Sequence, residues 1–326
     1  MMKKIALLVA VVIFVTNGNA QIIDTYEWPI AENEAILSDK SKVSIIKSND
    51  TINSMVIQSK SKDLEIPDFA REMRGGRTFN WTMFSSDFSK PVKIIVEKIF
   101  GTSTNDIEIV PSPFKINKKV LENGKKVEII LNEPKYVCIN FKSQDNIHTS
   151  DGVVKHMLMI FGDPLETDVP DKNDPKVHVY SMLSTVKQMD DADIIYFPRG
   201  YHDLKVQYDD VSNMAKSINK RGKKVYFEGG AYVHGRIYNA VNGNVKIYGR
   251  GVLSGRDFKW SERLAQNGGK LGVDSYTANN AHIGFSGGSG SNTIEGIVVC
   301  DGAGHGVNLG QSHNVYRYFK TWAWHP

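Results

Sequence analysis

Apolar and polar positions along the chain change rhythm once, near residue 175. Before that point short runs alternate: Val43-Ser44-Ile45-Ile46, Met55-Val56-Ile57, Val92-Lys93-Ile94-Ile95-Val96, Ile107-Glu108-Ile109-Val110, Val127-Glu128-Ile129-Ile130-Leu131 and His156-Met157-Leu158-Met159-Ile160-Phe161. A period of two puts one face of a strand in a core and the other in water, so each run predicts a strand. Asn123-Gly124 predicts a two-residue hairpin turn, because those residues adopt positive φ at small cost. Nothing here holds a helical period over a useful length. Spaced strands with hairpin turns predict an antiparallel β-sandwich over 21–162.

Residues 163–176 carry three prolines and several acids with few apolar positions, which predicts a linker. After it the chain copies itself. Val225-Tyr226-Phe227-Glu228-Gly229 matches Val245-Lys246-Ile247-Tyr248-Gly249, and Tyr232-Val233-His234-Gly235 matches Val252-Leu253-Ser254-Gly255, both at an offset of about twenty residues. Each period holds two strand-like runs and a glycine turn, as one coil of a parallel β-helix does. Such strands are too short to stand alone; stacking satisfies their backbones and buries their inward side chains. An earlier coil is read in Ile194-Ile195-Tyr196-Phe197, the Pro198-Arg199-Gly200 turn and a strand near Leu204 to Val206. Later ones are read at Ile283-Gly284-Phe285, Ile294 to Val299, Val307-Asn308-Leu309 and Val315. A helical turn is expected within 211–220, and the polar stretch 257–280 is expected to leave the column as a loop. The predicted fold is all-β: a sandwich, then a right-handed parallel β-helix over 177–326. Because Trp322-Ala323-Trp324-His325-Pro326 supplies no cap for a terminal coil, the column is expected to be cut short, with only its first coils in this sequence.

The N-terminus changes the setting. Lys3-Lys4, an apolar run from Ile5 to Val15 and the small residues Gly18-Asn19-Ala20 form a secretory signal pattern over 1–20. Cleavage after Ala20 predicts a secreted or periplasmic protein with no membrane attachment thereafter, and losing Lys3 and Lys4 lowers the net charge from +4 to +2. So small a charge argues against nucleic acid as a partner. Cys138 and Cys300 lie in different predicted domains within apolar runs, so buried thiols are expected. No metal or cofactor signature is present.

With the coils placed, Phe227-Glu228-Gly229-Gly230-Ala231-Tyr232-Val233-His234-Gly235, Ile247-Tyr248-Gly249-Arg250-Gly251-Val252-Leu253-Ser254-Gly255 and Ile294-Glu295-Gly296-Ile297 resemble the early coils of pectate-lyase-like β-helix glycosidases. A sandwich ahead of the helix is similar to the dextranase and isopullulanase family, a relative of the polygalacturonases. That resemblance implies a secreted, endo-acting glycoside hydrolase working on a polysaccharide such as dextran or polygalacturonan. It further implies inversion, with one carboxylic acid protonating the leaving oxygen while a carboxylate activates water. The family's Asp-Gly motif is expected after a segment like Tyr316 to His325, beyond Pro326, so no catalytic acid or base is assigned and the 326-residue chain alone is expected to be inactive.

Three residues are substrate-binding candidates. His305 stands in a Gly-His-Gly motif like one that polygalacturonases use, but ahead of the expected aspartates, and its other reading is a turn histidine bound to backbone. Asp301 is either a carboxylate at the cleft edge or an Asx-type turn. Trp324 shares a strand face with Trp322, a face suited either to stacking on sugar or to a coil interior. His234 and His282 have no partner at metal-ligand spacing, and Glu228 and Glu295 are expected to face solvent. Two other functions fit the same scaffold: a polysaccharide lyase, and a non-catalytic carbohydrate-binding β-helix.

Overall fold

A computed structural model describes residues 21–30, 35–47, 50–59, 78–149, 152–204, 222–239, 243–256, 283–285, 290–302, 306–310 and 312–323. The expected signal segment, the helical turn within 211–220 and the loop over 257–280 lie outside the described residues.

The N-terminal strands form two sheets around one aliphatic core. One sheet runs, in spatial order, Asp50–Ser54, Ser41–Lys47, Val92–Lys98, Lys126–Leu131, Lys118–Leu121. The other runs Ile23–Thr25, Thr78–Ser86, His156–Pro164, Lys135–Phe141, Ile107–Val110, with Ile57–Ser59 also paired to Thr78–Ser86. Alternation supplies the core: along Val92–Lys98 fully and partly buried positions alternate, and Val92, Ile94 and Val96 meet Val137, Ile139, Leu158 and Ile160 of the facing sheet. Asn123 and Gly124 take φ of 51° and 86° between the antiparallel strands Lys118–Leu121 and Lys126–Leu131, within a connection longer than two residues.

Two expectations for this region are corrected. The sheets are not wholly antiparallel, because Thr78–Ser86 pairs in parallel with His156–Pro164. The first of these strands, Thr-Phe-Asn-Trp-Thr-Met-Phe-Ser-Ser, shows no apolar alternation since it is buried on both faces. Phe84 enters the shared core, while Trp81 and Met83 point the other way. The Met55-Val56-Ile57 run is also not one strand: Asp50–Ser54 belongs to one sheet and Ile57–Ser59 to the other, so the apolar residues make the crossing between them.

Beyond Pro164 the strands stack in parallel. A first sheet orders Val177–Val179, Ile194–Phe197, Lys224–Phe227, Lys246–Gly249, Thr293–Glu295 and Val315–Arg317. A second orders Gly200–Asp203, Ala231–His234, Val252–Ser254, Val298–Gly302 and Lys320–Ala323. The copied sequence implied only these two runs per period. The structure adds a third sheet of Ile237–Asn239, Ile283–Phe285 and Val307–Leu309. Inward residues of all three, among them Ile195, Phe227, Val233, Ile247, Leu253, Ile283 and Val299, form a single core. Burying a side chain such as that of Phe227 is worth roughly 1.5–3 kcal/mol.

The repeat register needs one correction as well. Tyr232 pairs with Val252 as the copy predicts, but Val225 pairs with Ile247 and Phe227 with Gly249, two residues further than expected. A shift of two keeps every side chain on its face. Gly249 dictates it: its φ is +124°, and a Cβ there would collide with the carbonyl oxygen of Phe227, so glycine must lie opposite that residue. A helix the hydrophobic pattern did not reveal, Val186–Asp191, packs its Met189 into the same core. Thr185 and Gln188 close a capping box at its start, and the buried Lys223 ammonium donates to the Met189, Asp190 and Ala192 carbonyls at its end.

Candidate functional site

The outward face of the Thr78–Ser86 sheet lies against the outward face of the second stacked sheet. Trp81, Met83 and Phe161 from one side meet Tyr232, Val252, Val298 and Cys300 from the other. Trp322 stacks on Phe161 with centroids 6.1 Å apart, and its Nε1 donates to Ser59 Oγ at 2.8 Å. A charged cluster is sealed within this joint. Lys320 Nζ lies 2.5 Å from Asp163 Oδ2, Tyr136 donates its hydroxyl proton to Asp163 Oδ1, and Arg250 Nε stands 3.7 Å from Asp163 Oδ2. Lys320 also donates to the Gly296 carbonyl at 2.8 Å, and Arg250 to the Pro164 carbonyl at 2.8 Å and Ser85 Oγ at 3.1 Å. Burial pushes the Lys320 ammonium down to about 8 although Asp163 opposes the shift. Burial would also lower Arg250, but Asp163 and Glu166 outweigh it and hold its pKa above the ordinary value.

The segment expected to be a linker starts in this joint. The last strand of the sheet pair runs to Pro164, past the expected boundary at Gly162, and Asp163 is wholly buried. From there the segment crosses the outer face of the first stacked sheet as a strap. Beneath it Tyr196, Tyr226 and Tyr248 form a ladder with centroids 4.9 and 5.1 Å apart. Tyr226 donates its hydroxyl proton to Glu166 Oε2 at 3.3 Å, Lys246 pairs with Asp168 at 2.7 Å, and Lys172 pairs with Glu228 at 3.0 Å while lying 4.8 Å above the Tyr196 ring.

Between strap, stack and the Ile23–Thr25 strand a cleft of about 380 Å³ opens. Glu166, Arg199, Tyr226 and Glu228 line it, with Asp24 and Tyr26 across from them. Gly229 makes the approach possible, since a Cβ there would strike the Tyr26 ring. The two glutamates differ in state. Burial raises Glu166, against the pull of Arg250. Burial would raise Glu228 too, but hydrogen bonds from Lys172 and the Arg199 N–H lower it. Arg199 commits its Nε to the Gly229 carbonyl at 3.4 Å. One cleft therefore holds a carboxyl whose pKa burial raises, a carboxylate whose pKa its hydrogen bonds lower, and a guanidinium.

The sequence candidates fall elsewhere. Asp301 is 6% exposed with φ of 61°, and Ser59 Oγ donates to its Oδ1, so its carboxylate belongs to the joint and does not line the cleft. His305 and Trp324 lie outside the described residues, as does His282, whereas Trp322 is a joint residue. His234 Nδ1 and Asp203 Oδ1 are 3.1 Å apart on neighbouring coils. Glu228 is half-buried in the cleft, and Glu295 lies 3.8 Å from Lys246 and 3.9 Å from Arg317. Both thiols are free; burial lifts Cys138 to about 12 and raises Cys300 as well.

Comparison with known proteins gives the fold a counterpart. No family model and no curated protein sequence matches the chain. Among solved structures it is similar to Dex49A from Penicillium minioluteum, with a TM-score of 0.66 and 18% identity over 92% of this chain. The chain spans about 60% of the length of that protein.

The tyrosines that line the cleft carry a sequence signal of their own. Ile195-Tyr196-Phe197, Val225-Tyr226-Phe227 and Ile247-Tyr248-Gly249 repeat an aliphatic-Tyr pair in the same phase, and aligning on the tyrosines gives the observed register. Glu166 had none, because its role comes from a strap whose path the repeat does not encode.

Proposed function

We propose that this chain belongs to a glycoside hydrolase acting on a polysaccharide, built as a β-sandwich followed by a right-handed parallel β-helix. The observation that carries this is the superposition of nearly the whole chain on Dex49A, a dextranase, together with the three parallel sheets that such a scaffold requires. Likeness at this identity speaks for the scaffold, and activity is added here as a proposal. Export through the 1–20 segment, endo-cleavage and inversion belong to the same proposal. The acid and base are assigned to none of the described residues.

The test assays the 326-residue chain, and any longer protein that contains it, on dextran, pullulan and polygalacturonate. Release of reducing ends by such a protein is expected. Unsaturated sugar products in place of simple hydrolysis would transfer the scaffold to the lyases, and retention of a glycan with no cleavage by either protein would make it a binding module.

A further inference from the structure

The cleft under the strap has the dimensions of a small-molecule site and a lining that restricts what can enter. About 380 Å³ lies within the range of ligand pockets. Its ionisable lining is three acids, Asp24, Glu166 and Glu228, against one base, Arg199. An anionic ligand would meet more like charge than opposite charge. A metal ion lacks a binding set: among the described residues no group of three or more His, Cys, Asp or Glu side chains could hold one. What the lining offers is a carboxylate that accepts, a guanidinium whose terminal nitrogens have no protein partner among the described residues, and apolar surface from Leu165 and Val169, the latter 55% exposed. A ligand suited to all of these carries many hydroxyls, each able to donate to Glu228 and accept from Arg199, has an apolar C–H face, and bears no negative charge.

Building on the polysaccharide reading above, we propose that this cleft is a binding site for one neutral sugar unit of a glycan. The strap that joins the sheet pair to the stack forms its rim, so the segment between the two regions is part of the ligand site. Lys172 and the Arg199 N–H both donate to one Glu228 oxygen and the Tyr196 hydroxyl also bonds the carboxylate, so Glu228 is fixed in place as an acceptor for a sugar hydroxyl on this wall. Glu166, held by the Tyr226 hydroxyl, lines the other wall.

The experiment titrates the full chain with isomaltotriose, maltotriose and trigalacturonate by calorimetry. Three proteins are compared: the unaltered chain, Glu228→Gln, which keeps the shape and removes the charge, and Val169→Trp, which fills the rim without touching the Lys172–Glu228 pair. Circular dichroism establishes that each variant is folded. At least one neutral trisaccharide should bind the unaltered chain, and both variants should weaken it by about tenfold or more. Equal binding by all three proteins, no neutral trisaccharide bound at millimolar concentration, or preference for trigalacturonate would each overturn the site. Failure here is distinct from failure of the hydrolase proposal. A protein that cleaves glycan while the cleft stays empty removes only this site, and a cleft that binds trisaccharide in a protein without cleavage removes only the hydrolysis.

Discussion

The core of the sheet pair and the joint between sheet pair and stack are both buried, yet they are built from opposite materials. Val92, Ile94, Val96, Ile129 and Ile139, joined by Phe84 and Phe141, fill the first with apolar side chains alone. The second mixes Trp81, Phe161 and Trp322 with Asp163, Lys320 and Arg250. Aliphatic contacts are non-directional and tolerate small shifts. A buried charge is costly unless its partners sit in the right places, so the joint accepts essentially one placement of the stack on the sheet pair. The contrast separates two jobs: the aliphatic core supplies stability, and the charged joint supplies orientation.

Removing a partner at the joint should have the largest effect. Asp163→Ala leaves Lys320 and Arg250 buried without their carboxylate and should cost about 3–5 kcal/mol in urea unfolding. A loss below about 1 kcal/mol, the scale of one methylene in a core, would erase the distinction drawn above.

Titration sharpens the contrast next. The folded pKa of Lys320, about 8, lies below its ordinary value of 10.5, so between those pH values the unfolded chain binds more protons. Stability should therefore rise with pH across that window and reach its lower plateau below it. The rise should be missing in Lys320→Met. His156 of the sheet pair behaves in the acid range: burial lowers it to about 4, against an ordinary 6.5, as it packs edge-on to Phe100 and meets Thr78 Oγ1 at 3.0 Å. Its contribution is present above pH 6.5 and lost as pH falls through 4. Urea midpoints measured across both windows should show acid weakening the sheet pair and alkali relieving the joint.

In the stack, Gly249→Ala imposes a side chain at φ of +124° against the Phe227 carbonyl, and should cost about 1–3 kcal/mol by thermal unfolding. A neutral result would mean that the pairing of Gly249 with Phe227 is not what sets the register. The smallest effect belongs to the aliphatic core, where Ile94→Val should cost about 1 kcal/mol.

Much of the architecture was legible because it rests on local rhythm. The alternation in Val92 to Val96 and in Val127 to Leu131 marks a half-buried strand wherever it occurs, and the Val225 and Val245 runs announce stacked coils through their likeness. What escaped was buried on both faces or set by distant contacts. Thr78–Ser86 showed no alternation because each of its faces meets a different core. Asp163 read as a linker acid because the partners that bury it, Lys320 and Arg250, come from segments 157 residues and 87 residues further along the chain. Asp301 read as either a cleft-edge carboxylate or a turn aspartate, because nothing near it in sequence points to Ser59, which comes from the sheet pair.

By itself the sequence determined the half-buried strands, the parallel stacking and the alternation of their inward and outward side chains, since these follow from periods of two and about twenty residues that neighbouring residues carry. The tertiary structure alone decided where the two regions meet, which acids are buried there, and that the strap over Tyr196 and Tyr226 encloses a cleft. Those features depend on the partners that distant segments bring within a few ångströms, and no local pattern specifies such a partner.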